Sequence, residues 1–462
     1  MNTANSLAEN LFYRAVRLME EGDTVTAEAE LRLALELQPD MAEAHANLGW
    51  LLEHDAHPRE AERHYRRALE IQPQQIQTYL NFGAMLNVQK RFAEAEAIYR
   101  QALAIAPDMP EALSNFGVLL ACMKREQEAE QCYRRALAIA PDYRTARFNL
   151  AYLLLRHGDY DEGWHCLEAR KPSVPLQDKL SCPRWNGEPL HGKSILIGFE
   201  AGHGDMIQFC RYATMLKQQG AQHVDILCHP GLKTLFARLP GADDIIGLDE
   251  ALPNFAWDYW TLPMSLPYFF GTRHDTIPAA LPYLSAAPER IAHWQNIIGA
   301  HDGRLRVGLV WKGNHHNEND AERSLPSLAA LAPLADISGV RFFSLQKGQA
   351  AAEAALAPVL PLTDLAAGIA DFDDTAAIVA QMDLVIAVDT AVAHLAGALG
   401  KQCWVLIPDY KADWRWLADT DASPWYPQVM RLFRQHAMGD WAPTIAEVAQ
   451  ALSALAQAET GR

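Results

Sequence analysis

A repeat with a period of 34 residues constrains the fold of the first third of the chain more than any other feature. Alanine, glycine and an aromatic residue recur at fixed positions within it. Small residues let two antiparallel helices approach, the aromatic ring fills the gap between them, and a proline ends the second helix. One such hairpin cannot bury its own apolar face, so the pattern predicts a stack of hairpins. The recurring prolines are Pro39, Pro73, Pro107 and Pro141.

These positions resemble the tetratricopeptide repeat, with a close match at every signature position. The phase gives four full repeats from about Ala8 to Pro141 and a fifth that starts near Arg144 and degrades after Glu168. The resemblance implies an α superhelix over residues 1–170 whose concave groove binds a protein partner.

A second periodic feature is an asparagine in the first helix of successive hairpins. An amide side chain both donates and accepts hydrogen bonds, so a row of them can hold an extended peptide backbone without reading its sequence. The row resembles that in the repeats of the O-linked N-acetylglucosamine transferases, which implies a role in acceptor binding. The alternative is that they are ordinary repeat residues. The four residues are Asn47, Asn81, Asn115 and Asn149.

The bulk composition excludes some classes of function. The formal net charge of −17 argues against a nucleic acid or an anionic membrane as the partner. The seven cysteines include no CxxC pair, which fits reduced thiols. The start of the chain lacks an apolar signal-peptide core, and no apolar run is long enough to span a bilayer. We therefore expect a cytoplasmic protein without a membrane span.

Beyond the repeats the pattern changes to short apolar runs that alternate with amphipathic helices, which predicts parallel sheets. We expect a linker over residues 171–192, a first Rossmann-like half over 193–290 on the acceptor side, and a second half over 305–462 on the nucleotide-sugar side. The predicted strands are Ser194–Gly198, Val224–Cys228, Arg306–Trp311, Val340–Ser344, Leu384–Val388 and Cys403–Ile407. The predicted helices are Met206–Gln218, Thr375–Gln381, Ala391–Leu399 and a closing helix, Thr444–Ala456.

The segment DTAVAHLAGALG, residues 389–400, leads from a strand through a polar turn into a helix of small residues. Free N–H groups and the positive end of the helix dipole make such a start a site for a diphosphate. The motif resembles the diphosphate loop of glycosyltransferase family 9, the heptosyltransferase family, and the resemblance extends from Lys193 to about Ala456. It implies a GT-B fold of two Rossmann-like halves. The donor-binding residues that it implies in this segment are Asp389, Thr390, Ala391, Val392, Ala393 and His394. The alternative for His394 is a satisfied helix histidine that binds no ligand.

The loop GFEAGHGD, residues 198–205, ends on an acid at the start of a helix. In the same family a Gly-Asp pair stands here and its aspartate is the proposed catalytic base, which implies that role for Asp205. A carboxylate facing a cleft could deprotonate an acceptor hydroxyl. The alternative is that Asp205 only caps a helix that begins at Met206. His203 is a second candidate for the acceptor side, and its alternative is an exposed loop histidine.

Several other residues are candidates for the donor site. Lys312 follows the first strand of the second half, where doubly wound folds bind ligands, and Arg323 and Gln346 follow at later loops. The alternative for Lys312 is a solvated surface lysine. Asp371-Phe372-Asp373-Asp374 contains a D-x-D pattern, but it precedes a helix, so we expect helix capping, no metal and no cofactor. The aromatic segments 414–416 and 423–427 fit either core packing or a sugar pocket.

Together these features predict a metal-independent glycosyltransferase that uses a nucleotide-sugar donor and a protein acceptor recruited by the repeats. Two alternatives stay open. The acceptor is a glycan or a lipid-linked saccharide, or the chain is an inactive repeat scaffold.

Overall fold

The computed structural model of the chain describes residues 2–171, 176–317, 319–356 and 360–460. Residues 1–150 and 151–462 form separate compact units. Part of the predicted linker, residues 172–175, lies outside the described residues. None of the described helices is both long and apolar enough to cross a membrane.

Helices fill the chain up to residue 167, as the repeat pattern predicts. In each of the first four pairs the second helix packs against the first, and proline follows the last helical residue by two positions. The helices are α1 (Asn2–Glu21), α2 (Thr24–Leu37), α3 (Ala42–His54), α4 (Pro58–Ile71), α5 (Ile76–Val88), α6 (Phe92–Ile105), α7 (Pro110–Cys122), α8 (Glu126–Ile139), α9 (Arg144–Arg156) and α10 (Tyr160–Leu167).

The repeated glycine and tyrosine explain why the two helices of a hairpin lie so close. A Cβ atom at Gly117 would lie 2.5 Å from the ring of Tyr133, and one at Gly83 would lie 2.7 Å from the ring of Tyr99. Both rings are buried. Any side chain at the glycine would therefore push the hairpin apart.

The second unit contains two parallel sheets flanked by helices, which confirms the predicted fold class. The first sheet has the order β3-β2-β1-β4 and the second the order β10-β9-β8-β5-β6-β7. The second order is that of a complete Rossmann fold, and the first matches its first four strands. The strands are β1 (Ser194–Ile197), β2 (His223–Cys228), β3 (Asp244–Gly247), β4 (Tyr259–Thr261), β5 (Leu305–Val310), β6 (Val340–Ser344), β7 (Leu362–Asp364), β8 (Leu384–Val388), β9 (Cys403–Ile407) and β10 (Met430–Arg434).

The helices of this unit connect the strands and cover the sheets. The predicted single helix Met206–Gln218 is wrong: the structure has two helices, α11 and α12. Arg211 Nε donates to the Gln208 carbonyl at 2.7 Å, which a continuous helix would use for the Tyr212 amide. The helices are α11 (His203–Phe209), α12 (Tyr212–Gln218), α13 (Pro230–Phe236), α14 (Leu266–Phe269), α15 (Pro288–Ile298), α16 (Asp320–Arg323), α17 (Glu353–Leu356), α18 (Phe372–Val379), α19 (Ala391–Ala398) and α20 (Ala442–Thr460).

The closing helix α20 packs against β10 and the segment Leu328–Leu334. Its buried side chains Ile445, Val448 and Leu452 join the core of the second sheet. This contact buries the apolar face of α20 on the sheet that would carry the donor site.

Candidate functional site

Several site residues predicted from the sequence follow the carboxyl ends of strands where the strand order reverses: Asp205 follows β1, Lys312 follows β5, and the segment 389–394 follows β8. These points are between β1 and β4 in the first sheet and between β5 and β8 in the second. Ligands of doubly wound folds bind at such points, because the loops on either side run in opposite directions and leave a crevice.

Asp205 is the third residue of α11, which begins at His203 rather than at Met206. Its Oδ2 accepts the Gly202 N–H at 2.9 Å, so the carboxylate does cap the helix, although from inside the first turn. Its Oδ1 pairs with the guanidinium of Arg415. The Asp205 side chain stays about a quarter exposed, which leaves it accessible to a substrate.

Arg415 is a residue of the candidate site that the sequence does not predict. Its guanidinium is buried and donates to both oxygens of Asp413, at 2.9 and 3.0 Å, and to Gln208 Oε1 at 2.7 Å. It also reaches Met264 Sδ at 3.4 Å. Arg415 therefore joins α11 of the first half to the segment 413–416 of the second half. Its one signal in the sequence is an arginine between two tryptophans, Trp414 and Trp416.

Helices α11 and α19 meet at their first turns. A Cβ atom at Gly204 would lie 2.9 Å from His394 Cδ2 and 3.4 Å from the Ala391 Cα. Glycine is required there because the backbone of one helix rests directly on the other. The contact brings the loop of Asp205 to the start of the helix that carries the DTAVAH motif.

The start of α19 carries backbone N–H donors and one side-chain hydroxyl without a hydrogen-bond partner among the described residues. Thr390 is the N-cap residue, but its side chain accepts no capping hydrogen bond, and its buried Oγ1 has no hydrogen-bond partner among the described residues. Burial, together with the nearby Asp413 carboxylate, raises the pKa of Asp389 to about 6. Asp389 therefore stays mostly ionised at neutral pH and becomes protonated only as the pH falls toward 6.

His394 is a buried residue whose Nδ1 lies 2.9 Å from the Tyr426 hydroxyl, and its ring stacks on Trp416. Burial and the neighbouring Arg415 hold its pKa well below the usual value, so the imidazole is neutral. One ring nitrogen is thus committed to Tyr426. The hydrogen-bonding capacity of this nitrogen is therefore satisfied within the protein, as the alternative interpretation of His394 predicts.

The three other predicted donor residues differ in their surroundings. Lys312 Nζ pairs with Glu353 at 2.7 Å. The buried Gln346 side chain accepts the amides of Trp311 and Lys312 at 3.0 and 2.9 Å, so it fixes the loop after β5. Arg323 lies beside Gly313, and its Nε is 3.4 Å from Asp320.

His203 is not an exposed loop histidine. It is the first residue of α11, and its half-buried ring lies on that of His229, 3.8 Å between centroids, and on Phe372 at 5.0 Å. Burial and the neighbouring His229 lower the pKa of His203 to about 4, so at neutral pH it is a weak base. This aromatic stack links α11 to the start of α18.

The aromatic segments pack in the core, and the D-x-D segment caps a helix. The side chains of Trp414, Trp416, Trp425 and Tyr426 are buried in the core. Asp371 accepts the amides of Asp373 and Asp374 at 3.0 and 2.9 Å and caps α18, as predicted. Within the described part of the chain, no group of three His, Cys, Asp or Glu side chains could hold a metal ion.

The four asparagines of the repeats occupy one register, since each is the sixth residue of its helix in α3, α5, α7 and α9. All four side chains are partly exposed. Asn81 accepts from Gln77 Nε2 at 2.9 Å, and Asn149 donates to Ser114 Oγ at 3.4 Å. The row is therefore available on the surface of the first unit.

Comparison with known sequence families supports the repeat assignment. Residues 42–75 and 74–142 match the family described as tetratricopeptide repeat. These residues are tetratricopeptide repeats. The structure of pilF from Pseudomonas aeruginosa covers 36% of this chain and 76% of its own, with 24% identity and a TM-score of 0.34.

One relative matches the repeats and residues beyond them, and one solved structure matches the rest of the chain. Protein FlbA of Caulobacter vibrioides is 30% identical over 326 residues, which cover 65% of this chain. The chain spans about half the length of that relative, 54%. The structure of E. coli ADP-heptose LPS heptosyltransferase II covers 58% of this chain and 99% of its own, with 16% identity and a TM-score of 0.43.

Proposed function

We propose that the chain is a glycosyltransferase that transfers a sugar from a nucleoside-diphosphate donor to a hydroxyl of a protein held by the repeats. The observation that carries the proposal is the contact of α11 with α19 at Gly204 and His394. It brings a partly exposed carboxylate close to the start of a helix that suits a diphosphate.

The donor diphosphate would bind at the first turn of α19. The amides of Ala391 and Val392 and the hydroxyl of Thr390 supply its hydrogen-bond donors, whereas the Ala393 amide already donates to the Thr390 carbonyl at 3.0 Å. The positive charge of Arg323, which acts on both Asp389 and His394, reduces the repulsion that a diphosphate would meet there. Lys312 would reach the phosphates only after leaving Glu353, so we assign it a secondary role.

Asp205 would act as the general base. Its carboxylate accepts the proton of the acceptor hydroxyl while the oxygen attacks the anomeric carbon. The bond from that carbon to the diphosphate oxygen breaks, and the nucleoside diphosphate leaves with the electron pair. Helix and guanidinium charges would stabilise the leaving group without a metal ion.

A thermal-shift screen tests the donor assignment. A ligand at one hundred times its dissociation constant stabilises the folded state by about 2.7 kcal/mol. We expect at least one of UDP-N-acetylglucosamine, GDP-mannose and ADP-heptose to raise the melting temperature of the full chain. The rise should shrink in Thr390→Val, which keeps the shape of the side chain but removes the hydroxyl. An equal rise in melting temperature in the wild type and in Thr390→Val would mean that the donor binds away from Thr390.

The asparagine row tests the acceptor assignment. Changing Asn47, Asn81, Asn115 and Asn149 together to alanine should weaken the binding of a protein acceptor while donor hydrolysis is retained. Alanine is the better helix former, so helix propensity does not predict a loss of stability. Unchanged acceptor affinity would make the four asparagines ordinary repeat residues and would favour a glycan or lipid-linked acceptor.

A further inference from the structure

A buried ion pair fixes the loop of residues 198–205 that ends at Asp205. Arg170 Nε donates to Glu200 Oε1 at 2.5 Å, and Arg170 Nη2 donates to Glu200 Oε2 at 3.0 Å. The side chains are 5% and 2% exposed. Two parallel bonds between a guanidinium and a carboxylate fix both the distance and the orientation of the pair.

The remaining donors of Arg170 bind two further segments. Its Nη1 donates to the Leu167 carbonyl at 3.1 Å and to Glu168 at 2.7 Å, and its Nη2 donates to Ser265 Oγ at 2.7 Å. Glu200 also accepts the amide of Met264 at 3.3 Å. One guanidinium thus joins the end of α10, the loop after β1 and the turn after β4, at the point where the strand order of the first sheet reverses.

Helix α10 is itself anchored in the second unit, which gives Arg170 a rigid base. Trp164 Nε1 donates to the Thr272 carbonyl at 2.8 Å. The Trp164 ring meets those of Trp414 and Trp425 edge to face, at 5.2 and 6.2 Å between centroids. Trp414 directly precedes Arg415, which pairs with Asp205.

The loop between Glu200 and Asp205 needs such a constraint because its backbone is strained. Ala201 has a φ of 56°, in the left-handed region that favours glycine. This conformation persists only where the flanking residues are held. Glu200 is held on one side by Arg170, and Gly202 on the other by Asp205.

We propose that Arg170 is a positioning residue for Asp205. Through Glu200 it sets the strained turn at Ala201 and thereby the first turn of α11, so residues 160–170 belong to the catalytic machinery rather than to a separate repeat. The proposal rests on the proposed function for its effect on turnover, but its effect on the loop does not depend on any substrate.

The test uses the full chain with Arg170→Met and Glu200→Gln combined. Removing both charges avoids the unpaired buried charge that either single change would leave, so the variant is designed to fold. Arg170→Lys is a second variant, which keeps the charge but not the two-bond geometry. Arg184→Met is the matched control, because Arg184 binds Glu168 and Ser265 in the same cluster but does not touch Glu200.

Two measurements are compared with the wild type. Amide hydrogen exchange of residues 198–206 should become about tenfold faster in the double variant and less so in Arg170→Lys. The kcat for release of nucleoside diphosphate from the three sugar nucleotides of the screen should fall about tenfold or more, with the donor KM within about threefold. Arg184→Met should change neither quantity.

Unchanged exchange in residues 198–206, or faster exchange with unchanged kcat, would overturn the proposal. If the wild type releases nucleoside diphosphate from none of the donors, the proposed function fails for these donors and exchange alone decides. Faster exchange then still supports the positioning role, and unchanged exchange rejects it. If the double variant does not fold, the same comparison is made with Arg170→Lys.

Discussion

Asp205→Asn is expected to lower sugar transfer by about 10² or more while nucleotide binding stays normal. A general base contributes on the order of 10² to 10⁴ in rate, and an amide cannot accept the proton. The asparagine oxygen can still accept the Gly202 amide, which the aspartate binds at 2.9 Å, so the helix start is preserved. Single-turnover transfer and nucleotide affinity, measured on the same preparation, separate the two effects.

The control for this variant must account for Arg415, since Asp205→Asn removes one of its two carboxylate partners. Asp413→Asn removes the other partner, which binds Arg415 at 2.9 Å, and leaves Asp205 in place. If Asp205 is the base, Asp413→Asn should lose much less activity. Equal losses of transfer activity in the two variants would mean that transfer depends on the ion pairs of Arg415 and not on proton transfer to Asp205. A wild-type rate in Asp205→Asn would reduce the carboxylate to a helix cap, and His203 would be tested next.

How far the sequence predicts the sheets depends on the position of each strand. All six predicted strands are inner strands, and the four that were missed, β3, β4, β7 and β10, lie at the edges of the two sheets. An inner strand is covered on both faces and reads as a continuous apolar run, as in LVIAV of β8. Edge strands are partly exposed, and three of the four have only three or four residues, as in LTD of β7, so their composition resembles that of loops.

The site is less predictable than the fold because it depends on pairings between residues distant in sequence. The DTAVAH motif locates the start of α19 from local signals alone. In contrast, Asp205 is paired with Arg415, 210 residues away, and Lys312 with Glu353, 41 residues away. The charge of each side chain is visible in the sequence, but its partner is set only by how the sheets and loops pack.

Gly204→Val is expected to lower transfer by about 10² and to reduce stability by about 1–3 kcal/mol, the usual cost of overpacking. A Cβ atom at this position would already lie 2.9 Å from His394, whose ring is held by Tyr426 and Trp416 and cannot move aside. The helices α11 and α19 must then separate, which moves Asp205 away from the donor site. A displacement of about 1 Å can lower the rate by that factor.

The matched control is Gly231→Ala, because this glycine is near the same cleft but its Cβ would meet Phe372 at 3.8 Å, an ordinary contact. Thermal unfolding and single-turnover transfer are measured for both variants at a temperature where both are folded. If the loss of rate in Gly204→Val exceeds what its loss of stability explains, the result supports a role for the α11–α19 contact in bringing base and donor together. A folded Gly204→Val protein that transfers sugar at the wild-type rate would show that catalysis does not need this contact, and the assignment of Asp205 as base would lose its geometric support.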